Sequence, residues 1–164
     1  MIDLATLEKL VEQKVAEALD ARDLRLSKSI ADARERGASY ARQECEKPEN
    51  LSLAEAASYA GRSDRVINED RKHGRYYALI LEGKTRGFRY PRWQFDADAG
   101  RLAAMLQVLN KAGLSCWGIH HFLHSPIERA GGLTAKQIIL DNRVALESAL
   151  ASARQRYFSD QGAG

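Results

Sequence analysis

The stretch LSLAEAASYAGRSDRVINEDRKHG, residues 51–74, decides the fold of this 164-residue chain. It contains two short helical segments separated by Gly61. Ser52, followed three residues later by Glu55, has the pattern of a capping box for the first helix, and Ser63 can cap the second. Gly61 stands where a tight turn between two helices needs a positive φ. The stretch therefore predicts a helix-turn-helix.

The residues after Gly74 have the pattern of β-strands. Two runs rich in aromatic and branched residues, 76–81 and 88–90, flank a Gly-containing segment at 82–87. This arrangement predicts a β-hairpin in which Phe88 and Tyr90 face the core. A hairpin directly after the second helix of a helix-turn-helix is a wing.

The positive charge of the chain is concentrated in the same region. The formal net charge is +3, but residues 71–92 hold seven basic residues and the single acid Glu82. A positive surplus in one short stretch is typical of a protein that binds the phosphate backbone of DNA. We therefore expect a double-stranded DNA operator as one partner.

The second helix of the motif carries side chains suited to base recognition. Arg and Asn present paired hydrogen-bonding groups that match guanine and adenine in the major groove, while a basic wing contacts phosphates. Asp64, Glu69 and Asp70 on the same helix leave a second interpretation open, a solvated helix in an interaction domain. The predicted DNA-binding residues are Arg62, Ser63, Arg65, Asn68, Arg71, Lys72, Arg75, Lys84, Arg86 and Arg89.

The N-terminal segment predicts one long amphipathic helix. Apolar residues recur at helical spacing from Leu4 to about Gln43, and nothing inside the segment can cover their narrow stripe. We expect a homo-oligomer, at least a dimer, with parallel, antiparallel and bundled pairings all open; a helix that packs back on its own domain is the alternative. The predicted oligomerisation residues are Leu4, Leu7, Val11, Val15, Leu19, Leu26 and Ile30.

The C-terminal third predicts a helical module. Leu102, Met105, Leu106 and Leu109 form an apolar face that ends at Gly113, and Ser115 can cap a next helix that runs to His124. A Gly-rich loop at 126–133 follows. Thr134 and Gln137 then open a short helix to Leu140, and a last helix is expected to start at Asp141 or Asn142.

These segments predict a mainly α fold with a long N-terminal helix, a winged helix-turn-helix with a short β-hairpin, and a C-terminal helical module. We expect an oligomerisation helix at 1–47, a DNA-binding domain at 48–98, a helical partner-binding domain at 99–158 and a mobile tail at 159–164. The polar, Pro-containing segment at 47–50 is the expected linker.

Several classes of protein are disfavoured. No run approaches the roughly 20 apolar residues that a membrane span needs, and acidic residues stand where a signal peptide would be basic, so we expect a cytoplasmic protein without membrane contact. The chain has no Gly-rich phosphate loop and no Gly-x-Ser-x-Gly motif. We therefore expect neither an enzyme nor a cofactor.

Two cysteines and a histidine-rich helix complete the candidate chemistry. Cys45 and Cys116 lie far apart in different predicted elements, so we do not expect a disulfide. Cys116, His120 and His124 share one rim of a helix, but no second Cys/His cluster exists to complete tetrahedral coordination. The favoured interpretation is a packing helix, in which Trp117 contacts His121, and no metal site.

Two groups of residues resemble known families when they are taken together. Residues 51–74, with Ala56-Ala57, Gly61, Val66 and Gly74, followed by Phe88-Arg89-Tyr90-Pro91, resemble the MerR/excisionase type of winged helix-turn-helix. A second group resembles the toxin-binding domain of Xre/MbcA/ParS-like antitoxins, and residues 89–96 look like the bridge between the two parts in a subset of that family. This second group comprises Trp117, Phe122-Leu123, Ser125-Pro126 and Gly131-Gly132-Leu133-Thr134.

The resemblance implies a type II antitoxin that binds a cognate toxin, often a RES-like enzyme that consumes NAD, and represses its own operon. It implies a partner surface that includes Trp117, His121, Pro126, Gly131 and Gly132, together with the last helix. Ala135 departs from the family, which usually has Pro there, and the long N-terminal helix is not part of the usual pattern. Alternatives are a solitary phage or plasmid regulator, excisionase-like or partition-associated, whose C-terminal helices only mediate assembly, and a structural adaptor that binds no DNA.

Overall fold

A computed structural model describes residues 3–159 and confirms a mainly helical fold with one small antiparallel sheet. Two short 3-10 turns, Arg92–Phe95 and Glu128–Ala130, join the later elements. The helices and strands, in chain order, are α1 (Leu4–Glu46), β1 (Asn50–Leu51), α2 (Leu53–Ala60), α3 (Asp64–Lys72), β2 (Tyr90–Pro91), α4 (Ala99–Lys111), α5 (Cys116–His124), α6 (Ala135–Leu140) and α7 (Glu147–Phe158). No helix within residues 3–159 is both long and apolar enough to cross a bilayer.

The chain forms two compact units that meet between Gln43 and Glu44. The first consists of α1 up to Gln43, and the second contains all later elements. The second unit has two buried clusters: one lies within residues 48–98 and includes Ile67 and Tyr90, and in the larger one Leu79 and Trp93 pack with helices of the predicted domain 99–158. The hairpin region thus contributes side chains that the small helix-turn-helix could not bury by itself.

The helix-turn-helix has the predicted local geometry. The Ser52 side chain accepts a hydrogen bond from the Glu55 N–H while the Glu55 carboxylate accepts from the Ser52 N–H, so the capping box is complete. Gly61 has a φ of 64° and ends α2. Ser63 caps α3 through the Val66 N–H. Because these contacts lie within one helical turn of each other, the local sequence is sufficient to specify them.

The predicted hairpin is reduced to a single bridge. Leu79 and Arg89 exchange backbone hydrogen bonds of 2.7 and 2.8 Å, but residues 76–81 do not form a strand. The reason lies at Tyr77, whose N–H donates to the Gln94 side-chain oxygen and whose carbonyl accepts from the Gln94 amide. These groups are therefore unavailable to a strand ladder. β2 pairs instead with β1, with Leu51 opposite Tyr90.

The long helix α1 continues past Gly37 without a break, because one Gly costs only about 1 kcal/mol inside a long helix. All seven predicted oligomerisation side chains are exposed, from 45% for Ile30 to 72% for Leu4. Nothing in the described chain covers this stripe.

The C-terminal helices agree with the predictions except at the start of the last one. α7 begins at Glu147, later than the predicted Asp141 or Asn142. Asp141 instead accepts hydrogen bonds from the Arg143 backbone and guanidinium, and the Arg101 guanidinium donates to the carbonyls of Ile138 and Val144. These contacts stabilise a turn where a helix was expected. Of the tail predicted to be mobile, residues 160–164 lie outside the described part of the chain.

Candidate nucleic-acid interface

The orientation of α3 is set by two buried residues. Ile67 is fully buried and the Asp70 side chain is 7% exposed. Arg65, on the opposite side of the helix, is exposed. The helix therefore presents a polar face to solvent while its other face packs under α2, with Ala56 and Ala57 providing the close approach.

Asp70 binds two of the predicted DNA-contacting arginines. Its two carboxylate oxygens accept hydrogen bonds from Arg62 Nη1 at 2.8 Å and from Arg75 Nη1 at 2.6 Å. Arg62 precedes α3 and Arg75 follows it, so the carboxylate links both ends of the helix to one point. Of the three acids on this helix, Asp70 is therefore buried and paired with arginines. The two arginine side chains remain about half-exposed, at 47% and 64%.

Arg71 is held in a fixed orientation by its neighbours. Its guanidinium lies 3.9 Å from the centre of the Phe88 ring, and its Nη2 donates to the Asn68 side-chain oxygen at 2.8 Å. A guanidinium stacked on an aromatic ring loses little conformational freedom when it binds a planar ligand. Arg71 and Asn68 therefore form a pre-organised polar pair at the edge of α3.

This pair lies in a groove of about 370 Å³ between the start of α2, α3 and the loop at 85–90. Arg86 and Arg89 also line this groove, and no Asp or Glu is among its lining residues. Three guanidinium groups with no acid among them make a positive concave surface. Such a surface suits an anion or the edge of a nucleic acid.

The other predicted DNA-binding residues fall into two groups. Arg65 and Lys84 are exposed. The Ser63 hydroxyl oxygen caps α3 and Lys72 contacts Glu69 at 3.1 Å, so these two side chains already serve the helix itself. A surface ion pair such as Lys72–Glu69 contributes little energy, so Lys72 remains available to a ligand.

Sequence reasoning did not anticipate the roles of Phe88 and Tyr90 in the groove. Phe88 was assigned to the core but is half-buried and supports Arg71. Tyr90 is fully buried as predicted, and burial raises the pKa of its hydroxyl, while the Arg71 guanidinium acts in the opposite direction. The sequence did contain an indication of these roles. Basic and aromatic residues alternate at 86–90, and this pattern is typical of nucleic-acid-binding surfaces as well as of strands.

The predicted partner-binding residues lie near α5 and the loop after it. Trp117 is half-buried, donates its ring N–H to the Ile80 carbonyl and packs edge-on against His120. Helical spacing explains this, because the i and i+3 side chains lie close together. His121 is itself exposed.

The loop after α5 presents a small exposed surface. Pro126 bridges to Thr134, and Gly131 and Gly132 have φ values of 67° and 84°. Pro126, both glycines and the apolar Leu133 are exposed. The loop is thus held at its ends while its tip remains accessible.

A buried chain of polar side chains passes through His120 of α5. Tyr77 Oη is 2.8 Å from His120 Nδ1, and His120 Nε2 is 3.0 Å from a Glu44 carboxylate oxygen. An ionised Glu44 accepts a hydrogen bond from the Nε2–H of a neutral His120, which leaves Nδ1 to accept a hydrogen bond from the Tyr77 hydroxyl. The other Glu44 oxygen contacts Lys47 Nζ at 2.6 Å. These polar contacts connect the end of α1 to α5.

The electrostatics of this chain favour a neutral histidine. Burial, reinforced by the nearby His124, lowers the pKa of His120 to about 4 although Glu44 opposes the shift. Burial acts to raise the pKa of Glu44, but hydrogen bonds from Lys47 and His120 outweigh it and the net pKa lies below its ordinary value.

Metal and thiol chemistry have little support in residues 3–159. No group of three or more His, Cys, Asp and Glu side chains in that range is arranged to hold a metal ion. Cys45 and Cys116 are both free thiols, and burial raises the pKa of Cys45.

Comparison with protein-family models, curated proteins and solved structures found no match to this chain. The antitoxin and MerR/excisionase resemblances therefore remain predictions drawn from short motifs.

Proposed function

We propose that this chain is a homo-oligomeric transcription regulator that binds double-stranded DNA through α3 and the basic loop after it. The observation that carries the proposal is the groove that is lined by Arg86, Arg89 and Arg71, in which Arg71 is stacked on Phe88 and hydrogen-bonded to Asn68. Arg71 and Asn68 are suited to base edges, and the two loop arginines to phosphates.

The energetics favour binding by more than one protomer. One α3 offers few exposed base-reading groups, and Asp70 already neutralises part of the charge of Arg62 and Arg75. A single DNA-binding unit is then expected to bind weakly. Two units joined through α1 would contact two half-sites, as dimeric helix-turn-helix proteins do.

Selection of bound sequences from a random duplex library, followed by fluorescence anisotropy on the selected duplex, tests the proposal. Asn68→Ala or Arg65→Ala should cost about 1–3 kcal/mol on the selected duplex and relax the sequence preference at the base pair contacted. Arg154→Ala on α7 is the matched control for Arg65→Ala, because both remove one exposed arginine. Equal losses from Arg65→Ala and Arg154→Ala would refute a specific role for α3.

We further propose that the C-terminal module binds a protein toxin, for which the motif resemblance and the exposed loop at 126–133 are the support. Leu133 is an exposed apolar side chain beside the exposed Pro126. Co-purification with proteins encoded next to the gene tests this. Leu133→Asp should abolish co-purification while the melting temperature and DNA affinity stay unchanged. Absence of any co-purifying neighbour would favour the solitary regulator.

A further inference from the structure

An uncovered apolar face lies along the first half of α1. Seven positions there fall within about 40° of Val15 when each residue advances by about 100° around the helix. We call this line of positions the seam, and its members are Leu4, Glu8, Val11, Val15, Leu19, Arg22 and Leu26. Its five apolar side chains are 52–72% exposed. Beyond the seam the same line continues with small residues, Ser29, Ala33 and Gly37, so the seam is its strongly apolar part.

Two charged residues interrupt the seam and have no local partner. Neither Lys nor Arg stands three or four positions from Glu8, and neither Asp nor Glu stands at those spacings from Arg22. Side chains of one helix meet at these spacings, so the two charges cannot be paired along α1 itself. Both side chains are exposed. A charge in an apolar contact between helices costs free energy unless the other helix supplies the opposite charge.

We propose that the seam binds a second copy of this chain in an antiparallel pair whose two-fold axis passes at Val15. The seam is symmetric about this residue, because positions 4 and 26, 8 and 22, and 11 and 19 are each equally far from it. An antiparallel partner therefore sets apolar residues against apolar residues and Glu8 against Arg22. The symmetry repeats each contact, so the Glu8–Arg22 contact forms twice.

Other arrangements do not bring these two charges together in this way. In a parallel pair in register, Glu8 meets Glu8 and Arg22 meets Arg22. An antiparallel pair shifted along the seam sets each charge against another residue, and a shift that pairs Val15 with Leu26 places Arg22 against Leu19. The pair centred on Val15 is favoured because it compensates both charges and keeps the apolar contacts.

The acidic flank of the seam is compatible with this pairing. Glu12 and Asp23 lie on one side of the seam, where the antiparallel partner presents alanines at the same heights, Ala16 beside Glu12 and Ala5 beside Asp23. Glu12 and the partner's Asp23 are then about 7.5 Å apart along the helix axis. Repulsion between exposed charges at this separation is weak in water that contains salt.

The basic flank contains one attractive and one repulsive contact. Arg25 lies at nearly the same height as the partner's Asp3, and this contact also forms twice. Lys14 approaches its own counterpart near the two-fold axis, which occurs once. Glu17 contacts Lys14 at 3.1 Å in the same helix and neutralises part of this repulsion. The attractive contacts therefore outnumber the repulsive one.

The pairing attaches the two DNA-binding units at opposite ends of the dimer. α1 runs without a break to Glu46, and the second compact unit begins at Glu44. At 1.5 Å per residue the two Glu44 positions lie roughly 90 Å apart. The dimer is thus suited to two well-separated half-sites or to two duplexes, and not to half-sites one helical turn apart. The inference rests on the self-association in the proposed function and not on its DNA-binding part.

Disulfide formation in the full chain tests the orientation. In a background of Cys45→Ala and Cys116→Ala, the variants Leu4→Cys and Leu26→Cys are refolded separately and as a mixture, oxidised and run on a non-reducing gel. We expect a covalent dimer only from the mixture. The two copies of position 4 lie about 33 Å apart in the proposed pair, too far for a disulfide.

Two further variants in the same background test the register. Val15→Cys should cross-link to itself, because the two-fold axis passes there. Leu24→Cys is the matched control, because Leu24 is as exposed as Leu4 at 72% but lies on the opposite face of the helix. A covalent dimer from Leu4→Cys or Leu26→Cys alone would overturn the proposal, as would equal cross-linking of Leu24→Cys or none at Val15.

Exchange of the two seam charges tests their contact with the native cysteines in place. Glu8→Arg should raise the Kd of self-association on the order of tenfold, because it sets Arg against Arg twice, and adding Arg22→Glu should restore it. Sedimentation equilibrium of the reduced full chain measures both effects. In a parallel pair in register, Glu8→Arg would only replace one like-charge contact by another. An unchanged Kd in Glu8→Arg, or a monomeric wild-type chain, would overturn the proposal.

Binding of the wild-type chain to the selected duplex is measured separately. Retained DNA binding by a chain that fails the cross-linking and charge-exchange tests would reject the pairing alone. An antiparallel dimer that binds no duplex would reject the DNA-binding part of the proposed function and leave the pairing in place.

Discussion

Acidification from pH 7 to pH 5 should destabilise the second unit through His120. The pKa of this side chain is about 4 in the folded protein, against 6.5 for an ordinary histidine. Protonation would require Nδ1 to donate, but Tyr77 Oη already donates to it. The unfolded chain therefore binds more protons than the folded chain between these two pKa values, and stability falls as the pH falls through this window.

The size of the effect follows from the two pKa values. A shift of 2.5 pKa units corresponds to about 3 kcal/mol in full, and about 2 kcal/mol of this is lost between pH 7 and pH 5. His120 is 4% exposed, so solvent screening does not reduce this figure much. The pKa of Glu44 is also lowered, but Glu44 loses its stabilising charge only below its ordinary value of 4.5, outside the window.

Urea unfolding followed by the fluorescence of Trp93 and Trp117 measures this loss. His120→Gln should remove about 2 kcal/mol of the pH dependence between pH 7 and pH 5. The control is His121→Gln, an exposed histidine on the same helix, which should keep the wild-type dependence. NMR titration of the His120 ring in the native protein gives the folded pKa directly, so the reasoning can be checked even if His120→Gln is unstable.

An unchanged pH dependence in His120→Gln, or a measured His120 pKa near 6.5, would refute the argument. Either result would mean that the ring is not held neutral by burial and by the Tyr77 hydroxyl. We expect His124 to account for the pH dependence of stability that remains in His120→Gln, because burial lowers the pKa of His124 as well.

Three further outcomes are expected. Arg86→Ala combined with Arg89→Ala should weaken binding to all duplexes alike. The slope of log K against log salt concentration should decrease by about one unit per lost phosphate contact, and an unchanged slope would show that the loop does not contact the DNA. Asp70→Asn should lower the free energy of unfolding by about 2 kcal/mol, because it weakens two hydrogen bonds to a buried carboxylate, and a urea midpoint equal to wild type would contradict this. Arg101→Ala should cost about 2–3 kcal/mol by leaving the carbonyls of Ile138 and Val144 unpaired, while Arg143→Ala, whose side chain is 90% exposed, should cost almost nothing. Comparable losses in the two variants would count against a stabilising role for the Arg101 contacts.

Most of the helices and their ends, though not the start of α7, were readable from the sequence because their signals are local. Ser52 with Glu55, and Thr134 with Gln137, satisfy backbone groups within a single turn, and both capping boxes form. The apolar face of α4 is equally local, since helical spacing alone brings Leu102, Met105 and Leu106 together. Such features need no knowledge of the rest of the chain.

Other features depended on contacts between residues far apart in the chain. Gln94 takes the backbone groups of Tyr77 and prevents the predicted strand, although 17 residues separate them. Glu44 and His120 are 76 residues apart, and nothing near either one signals their contact. The pairing of Asp70 with Arg62 and Arg75 spans shorter distances along the chain, but it too depends on the fold around α3 and was not predicted. Helical periodicity and capping act over one turn, so the sequence by itself determined the helices; the partner of each buried polar group depends on how those helices pack, and only the tertiary structure decided it.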